Sequence, residues 1–87
     1  MQLEPESLTA VLNRAKRAHG HLGKVISMME EGADCEEVVT QLSAVLKALQ
    51  RTGFVLVTTG VRQCLDAGDP ADSADVEQMQ KLFLSLA

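Results

Sequence analysis

Aromatic side chains are nearly absent from this chain of 87 residues, which has two phenylalanines, no tryptophan and no tyrosine. A core must therefore be built from Leu, Val, Ala and Met, and there is no aromatic platform on which nucleic-acid bases would stack. No apolar run approaches the roughly 20 residues that span a bilayer. The opening MQLEPES is acidic where a secretory leader would be basic and apolar. A cytoplasmic protein without a membrane role is the expectation. A glycine-rich phosphate loop, a Ser/His/Asp set and a carboxylate pair in an apolar setting are also missing, so an enzyme is not expected. Nor is there a helix-turn-helix pattern.

What remains is 46% hydrophobic content in a chain short enough to be one domain, residues 1–87. A single core is marginal at that size, and an aromatic-poor helical chain buries such a surface best against a further copy. The net charge is −4, but its distribution is uneven. Residues 7–29 carry Arg14, Lys16, Arg17 and Lys24 with no acid, and residues 38–65 carry Lys47, Arg51 and Arg62 with no acid. The carboxylates cluster at Glu4 and Glu6, from Glu30 to Glu37, and from Asp66 to Glu77. Within a Debye length of roughly 8 Å, an anion responds to the local field rather than to the net charge.

Three helices are expected. The first, about 6–31, starts at Pro5 and keeps Leu8, Val11, Leu12, Ala15, Ala18, Leu22, Val25, Ile26 and Met29 in helical period, with Gly32 as its stop. The second, about 35–65, starts with Asp34 and Glu37 in capping positions and carries Val38, Leu42, Val45, Leu49, Leu56 and Val61. Within it, GFVLVTTGV (53–61) is β-branched and would by itself suggest a strand. A lone strand has nothing to pair with, so helix is preferred, with a bend expected near Gly53 or Gly60. After the turn-rich DAGDPAD, Asp72 or Ser73 caps a third helix, about 73–86, striped by Val76, Met79, Leu82, Phe83 and Leu86.

The two cysteines lie 29 residues apart, at the two ends of the second helix. On one rod that is roughly 43 Å, at 1.5 Å per residue. A disulfide needs Cα atoms within about 7 Å. Cys35 and Cys64 of one chain therefore cannot meet, but an antiparallel second copy would bring Cys35 of one beside Cys64 of the other. In a reducing compartment such a pair reads as reactive or metal-binding before it reads as a staple; two buried, inert thiols are the alternative. His19 and His21 are about 200° apart on a helix and cannot grip one metal from one face. The stripe Arg14, Arg17 and Lys24, joined by Lys16, reads either as a phosphate-binding face or as a solvated helix face.

The segment Arg14–Cys35, RAKRAHGHLGKVISMMEEGADC, resembles the pattern R-x-x-R-x-x-G-Q-V-x-G-I-x-x-M-I-E-E-G-x-x-C. Thr40–Cys64 resembles its continuation to a closing cysteine. This is the pattern of the CsoR/RcnR/FrmR family of small helical repressors, and the likeness covers about residues 8–65. The resemblance implies an all-α fold with three helices per chain, an antiparallel four-helix-bundle homodimer and a dimer-of-dimers tetramer. It also implies operator DNA as partner, bound through a basic face, with Arg14 and Arg51 at positions tied to DNA binding; Lys16, Arg17 and Lys24 extend that face.

Two departures bear on the inducer. Copper-sensing members have a histidine four residues before the second cysteine, and here Gly60 stands there. They have a tyrosine before the first cysteine, and here it is Asp34. A bare dithiol without cofactor is left, as in the CstR-like branch that senses persulfides. The expectation is a repressor with Cys35 and Cys64 as an intersubunit thiol switch, induced by persulfide or polysulfide through a di- or polysulfide bridge. A Cu(I)-responsive repressor using the same two cysteines is one alternative, and a helical oligomerisation bundle without a DNA role is another.

Overall fold

Helix α2 is the rod on which the other two helices are mounted. The computed structural model describes residues 1–87, in the order α1 (Pro5–Glu30), α2 (Cys35–Asp66) and α3 (Ala74–Ser85). The chain is all-α, as expected, and the helix ends lie within one residue of those given by the sequence signals. No helix is long and apolar enough to cross a membrane.

The local causes are mostly those of the sequence. Pro5 opens α1 behind Glu4, and Gly32, at φ +77°, turns the chain out of α1. Gly68, at φ +92°, does the same for α2, where the Asp69 N–H reaches back to the Cys64 carbonyl at 3.0 Å. Both glycines sit in the left-handed region that L side chains avoid. Ser73 caps α3 by accepting the Val76 N–H at 3.2 Å. Asp34 occupies the N-cap position of α2, but its carboxylate makes no capping hydrogen bond, contrary to expectation. That helix end is exposed, so water can satisfy its free N–H groups.

Residues 53–61 are helical, and α2 runs through Gly53 and Gly60 without interruption. The threonines adapt to it, as the Thr58 and Thr59 hydroxyls donate to the Phe54 and Val55 carbonyls at 2.8 and 2.7 Å. The two glycines serve packing instead. A Cβ on Gly53 would lie 2.8 Å from Leu86 Cδ1, and one on Gly60 would lie 3.1 Å from Met79 Sδ.

α1 returns antiparallel to α2 along a seam of Val11, Ala18 and Val25, at seven-residue steps, with Val45 from α2. α3 folds back along the C-terminal half of α2. Met79 lies on Gly60, Phe83 on Phe54 with ring centroids 4.9 Å apart, and Leu86 on Gly53. The resulting plate measures 53 × 25 × 13 Å, about one helix diameter thick. Only 8 of its 87 residues are buried, so the chain makes little core of its own. Leu8, Leu12, Ile26 and Met29 on α1, with Val39, Leu46, Leu49 and Leu56 on α2, form an exposed apolar stripe at three-, four- and seven-residue steps.

Candidate functional site: a cationic groove and a sulfur-lined helix end

Between α1 and α2 runs an open groove of about 440 Å³. Arg14, Arg17 and His21 line one wall, and Lys47, Arg51 and Thr52 line the other. Ala18, Ala44 and Ala48 form the floor, where small side chains leave the space open. His21 Nε2 meets Gln41 Oε1 at 2.7 Å, tying the two helices together beside it. No carboxylate lines the groove. Four cationic side chains face one cavity, an arrangement that can take up an anion, and guanidinium groups bind phosphate oxygens in bidentate fashion.

Of the five cations expected at a DNA-binding face, the groove brings together Arg14, Arg17 and Arg51. Lys16 and Lys24 are exposed on α1 and do not line it. Lys47 lines the groove as well, although the sequence did not single it out. Its signal was its place one turn before Arg51, on the same face of α2.

The other candidate site is the far end of α2. Cys35 is the first residue of the helix and is exposed, whereas Cys64 is 3% exposed. With α2 unbroken, the separation of about 43 Å stands, and the two thiols of one chain are out of reach of each other. Around Cys64 the N-terminal strap closes in. Its Sγ donates to Met1 Sδ at 3.0 Å, Gln63 Nε2 donates to the Gln2 carbonyl at 2.7 Å, and Gln63 Oε1 accepts the Glu4 N–H at 2.8 Å. Carboxylate oxygens of Asp69 and Asp75 and the Cys64 Sγ all lie within 4.8 Å of one another.

Loss of solvent and the negative charges of Asp69 and Asp75 push the Cys64 thiol above its usual value of 9.0. The N-terminal ammonium offsets this only in part. Cys64 is thus held as a protonated thiol. One turn earlier, buried Gly60 faces Met79 Sδ and Met1 Cε, each 3.1 Å from where its Cβ would be.

The model of one protein family, described as a metal-sensitive transcriptional repressor, matches residues 7–85. The chain belongs to this family. Among individual relatives, it is 43% identical over 58 residues to the copper-sensing transcriptional repressor CsoR of Mycobacterium ulcerans (strain Agy99), covering 67% of this chain and 50% of that one. With the copper-sensing transcriptional repressor CsoR of Mycobacterium tuberculosis (strain ATCC 25618 / H37Rv) the identity is 33% over 72 residues, 80% of this chain and 60% of the other. A Bacillus subtilis (strain 168) relative carrying the name uncharacterized protein YrkD is 47% identical over 38 residues, 44% of this chain and 60% of its own. The chain thus matches 50–60% of the length of these relatives. No solved structure matches it significantly.

A metal-sensitive family implies a metal, and the donors at the α2–α3 end are of two kinds. Sulfur from Cys64, Met1 and Met79 suits Cu(I), whereas the Asp69 and Asp75 oxygens suit harder ions. The sulfur donors fit a soft cation. The imidazole of the copper-sensing pattern has no counterpart, because its position is Gly60.

Proposed function

We propose that this chain is a DNA-binding transcriptional repressor acting as a homodimer and homotetramer, induced by a persulfide or another sulfane-sulfur donor. The groove of Arg14, Arg17, Lys47 and Arg51 supports operator binding, because phosphates supply most of the affinity in such complexes. The apolar stripe that one chain leaves exposed supports assembly. Antiparallel pairing of two α2 rods sets Cys35 of one copy against Cys64 of the other, once at each end.

Gly60 carries the choice of inducer. Where a copper sensor of the resembling pattern offers a nitrogen, this chain offers a hydrogen atom packed against two methionines. A dithiol without imidazole is still fully competent for sulfur transfer. One thiolate attacks the outer sulfur of an organic persulfide, expels the organic thiolate and becomes a cysteine persulfide. The facing cysteine gives up its thiol proton to solvent and attacks the first cysteine's own Sγ, expelling the outer sulfur as hydrosulfide and closing a disulfide. If both cysteines are persulfidated, the same displacement leaves a trisulfide. Bridging at both ends fixes the α2 pair in one register and repacks the plate away from its DNA-binding form.

Intact mass under anaerobic, non-reducing, denaturing conditions, after reduced protein meets an organic persulfide, tests this. Covalent dimers, some with an added sulfur, lost in Cys35→Ala and in Cys64→Ala, are expected. Unmodified monomers throughout would overturn the inducer assignment. A Cu(I)-responsive repressor is the second reading, favoured by the copper-sensing relatives and the sulfur donors around Cys64. It displaces the first if one Cu(I) binds tightly per chain and weakens DNA binding while persulfide does neither.

A further inference from the structure

We infer that Met79 is a metal-ligating residue: its thioether, supplied from α3, takes the place of the absent imidazole, and with Cys64 it seats a soft monovalent cation, Cu(I) or Ag(I). This goes beyond the sulfane-sulfur reading and deepens the Cu(I) one.

The register of the two helices carries the inference. Gly60 and Cys64 are four residues apart on one face of α2, and Asp75 and Met79 are four apart on the facing side of α3. The helices are antiparallel. Asp75 stands opposite Cys64, with its carboxylate oxygen within 4.8 Å of Sγ, and Met79 stands opposite Gly60, with Sδ 3.1 Å from the glycine's absent Cβ. One helical turn, about 5.4 Å, separates the two levels, and a methionine with three rotatable side-chain bonds spans such a step. Because position 60 has no side chain, the thioether occupies the space into which a residue there would point.

A second sulfur contact shows the same preference. Met1 Sδ already accepts from Cys64 Sγ at 3.0 Å, so two of the chain's four methionines converge on this helix end. Thioether and thiolate sulfur select Cu(I) and its congeners over Mg(II) and Ca(II), which prefer oxygen. Binding needs the Cys64 proton to leave, and the positive ion offsets the burial and carboxylate charge that retain it in the free protein. In the antiparallel dimer, Cys35 of a second copy completes the site.

The test is an anaerobic titration of reduced full-length protein with Cu(I) against a chromophoric Cu(I) chelator, with X-ray absorption to count sulfur neighbours. One Cu(I) per chain is expected in a sulfur-only environment. Met79→Leu, close in volume, should lose at least about tenfold in affinity and one sulfur neighbour, while persulfide cross-linking by mass stays intact. Gly60→His in the Met79→Leu background should recover affinity and show a nitrogen neighbour, which also establishes that the double variant is folded. Unchanged affinity and sulfur count in Met79→Leu would overturn the assignment, as would dependence on Asp75→Asn instead. Absence of tight Cu(I) binding in the parent protein would overturn it while leaving the sulfane-sulfur reading standing. Failure of cross-linking alongside Met79-dependent Cu(I) binding would remove that reading and keep this one.

Discussion

The middle of the α1–α2 pair and the α2–α3 end share one rod but offer opposite chemistry. In the middle, small residues set two helices close together and four cations face the gap without a carboxylate. At the end, glycine and sulfur fill the contact, and Asp69 and Asp75 make the local field negative. From Arg51 to Cys64 is 13 residues of unbroken helix, roughly 20 Å of rise, more than two Debye lengths of about 8 Å. A polyanion held by the middle is therefore neither helped nor hindered electrostatically by the end. A ligand at Cys64 would have to act on the groove through the packing of α2, because a field is largely screened over that distance.

The largest effect that would break this division is charge reversal in the groove. Arg14→Glu with Arg51→Glu should lower affinity for DNA from upstream of the protein's own gene by on the order of 100-fold or more, measured by fluorescence anisotropy. Lys47→Ala should weaken binding less and reduce the slope of log affinity against log salt by about 1. Asp75→Asn, at the other end, should change neither. Equal losses from both ends would mean that the two regions form one binding surface, and unchanged binding in the double reversal would remove the DNA role.

How far these regions were legible in the sequence differs. Fold class, helix ends and the isolation of Cys35 from Cys64 follow from periodicity, capping residues and helical rise, all local quantities. The strand-like composition of residues 53–61 misleads because β propensity reflects packing, and the only surfaces near it here are helical. Arg14, Arg17 and Arg51 were readable as cations in acid-free stretches. Lys47 lines the same groove only through the α1–α2 register, which no single helix specifies, and for the same reason Lys16 and Lys24 lie outside that groove. The roles of Gly53 and Gly60 lay in residues far along the chain, Leu86, Met79 and Met1, so local reading suggested a bend where the structure has close contact.

Next in size is the seam that positions the groove. Val45 is 1% exposed beneath it and Val25 fully buried. Val45→Ala removes two buried methyl groups and leaves a cavity, and should cost about 2 kcal/mol, read as a lower urea midpoint. With so little core per chain, part of that loss should be concentration-dependent if the folded unit is an oligomer. A loss independent of concentration would show that one plate is stable by itself.

A smaller effect tests the end of the rod through pH. Below about 9 the Cys64 thiol is protonated in both folded and unfolded chains, and its contribution to stability is fully present. As pH rises past 9.0 the unfolded chain ionises first, so stability falls until the folded thiol also ionises. In metal-free Cys35→Ala protein, alkylation of Cys64 should therefore have a midpoint above 9.0, and Asp69→Asn should bring it down. A midpoint at or below 9.0 would mean that the carboxylates and burial do not govern this thiol.

The smallest expected effect sets one glycine against another. Gly20 has nothing within 4 Å of where its Cβ would be, in the interior of α1. Alanine there removes only the helix penalty of glycine, so Gly20→Ala should stabilise the fold by about 1 kcal/mol. Gly60→Ala gains the same propensity but must push back two methionine side chains that are each 3.1 Å from the new atom. The thioethers are flexible enough to yield, so stability should change by less than about 1 kcal/mol. The displacement itself should appear as faster proteolysis of α3 and as a lower alkylation midpoint for Cys64. If both glycines respond alike in stability, and α3 and Cys64 are undisturbed, the helix end is not the tight sulfur-lined contact that sets it apart from the open groove.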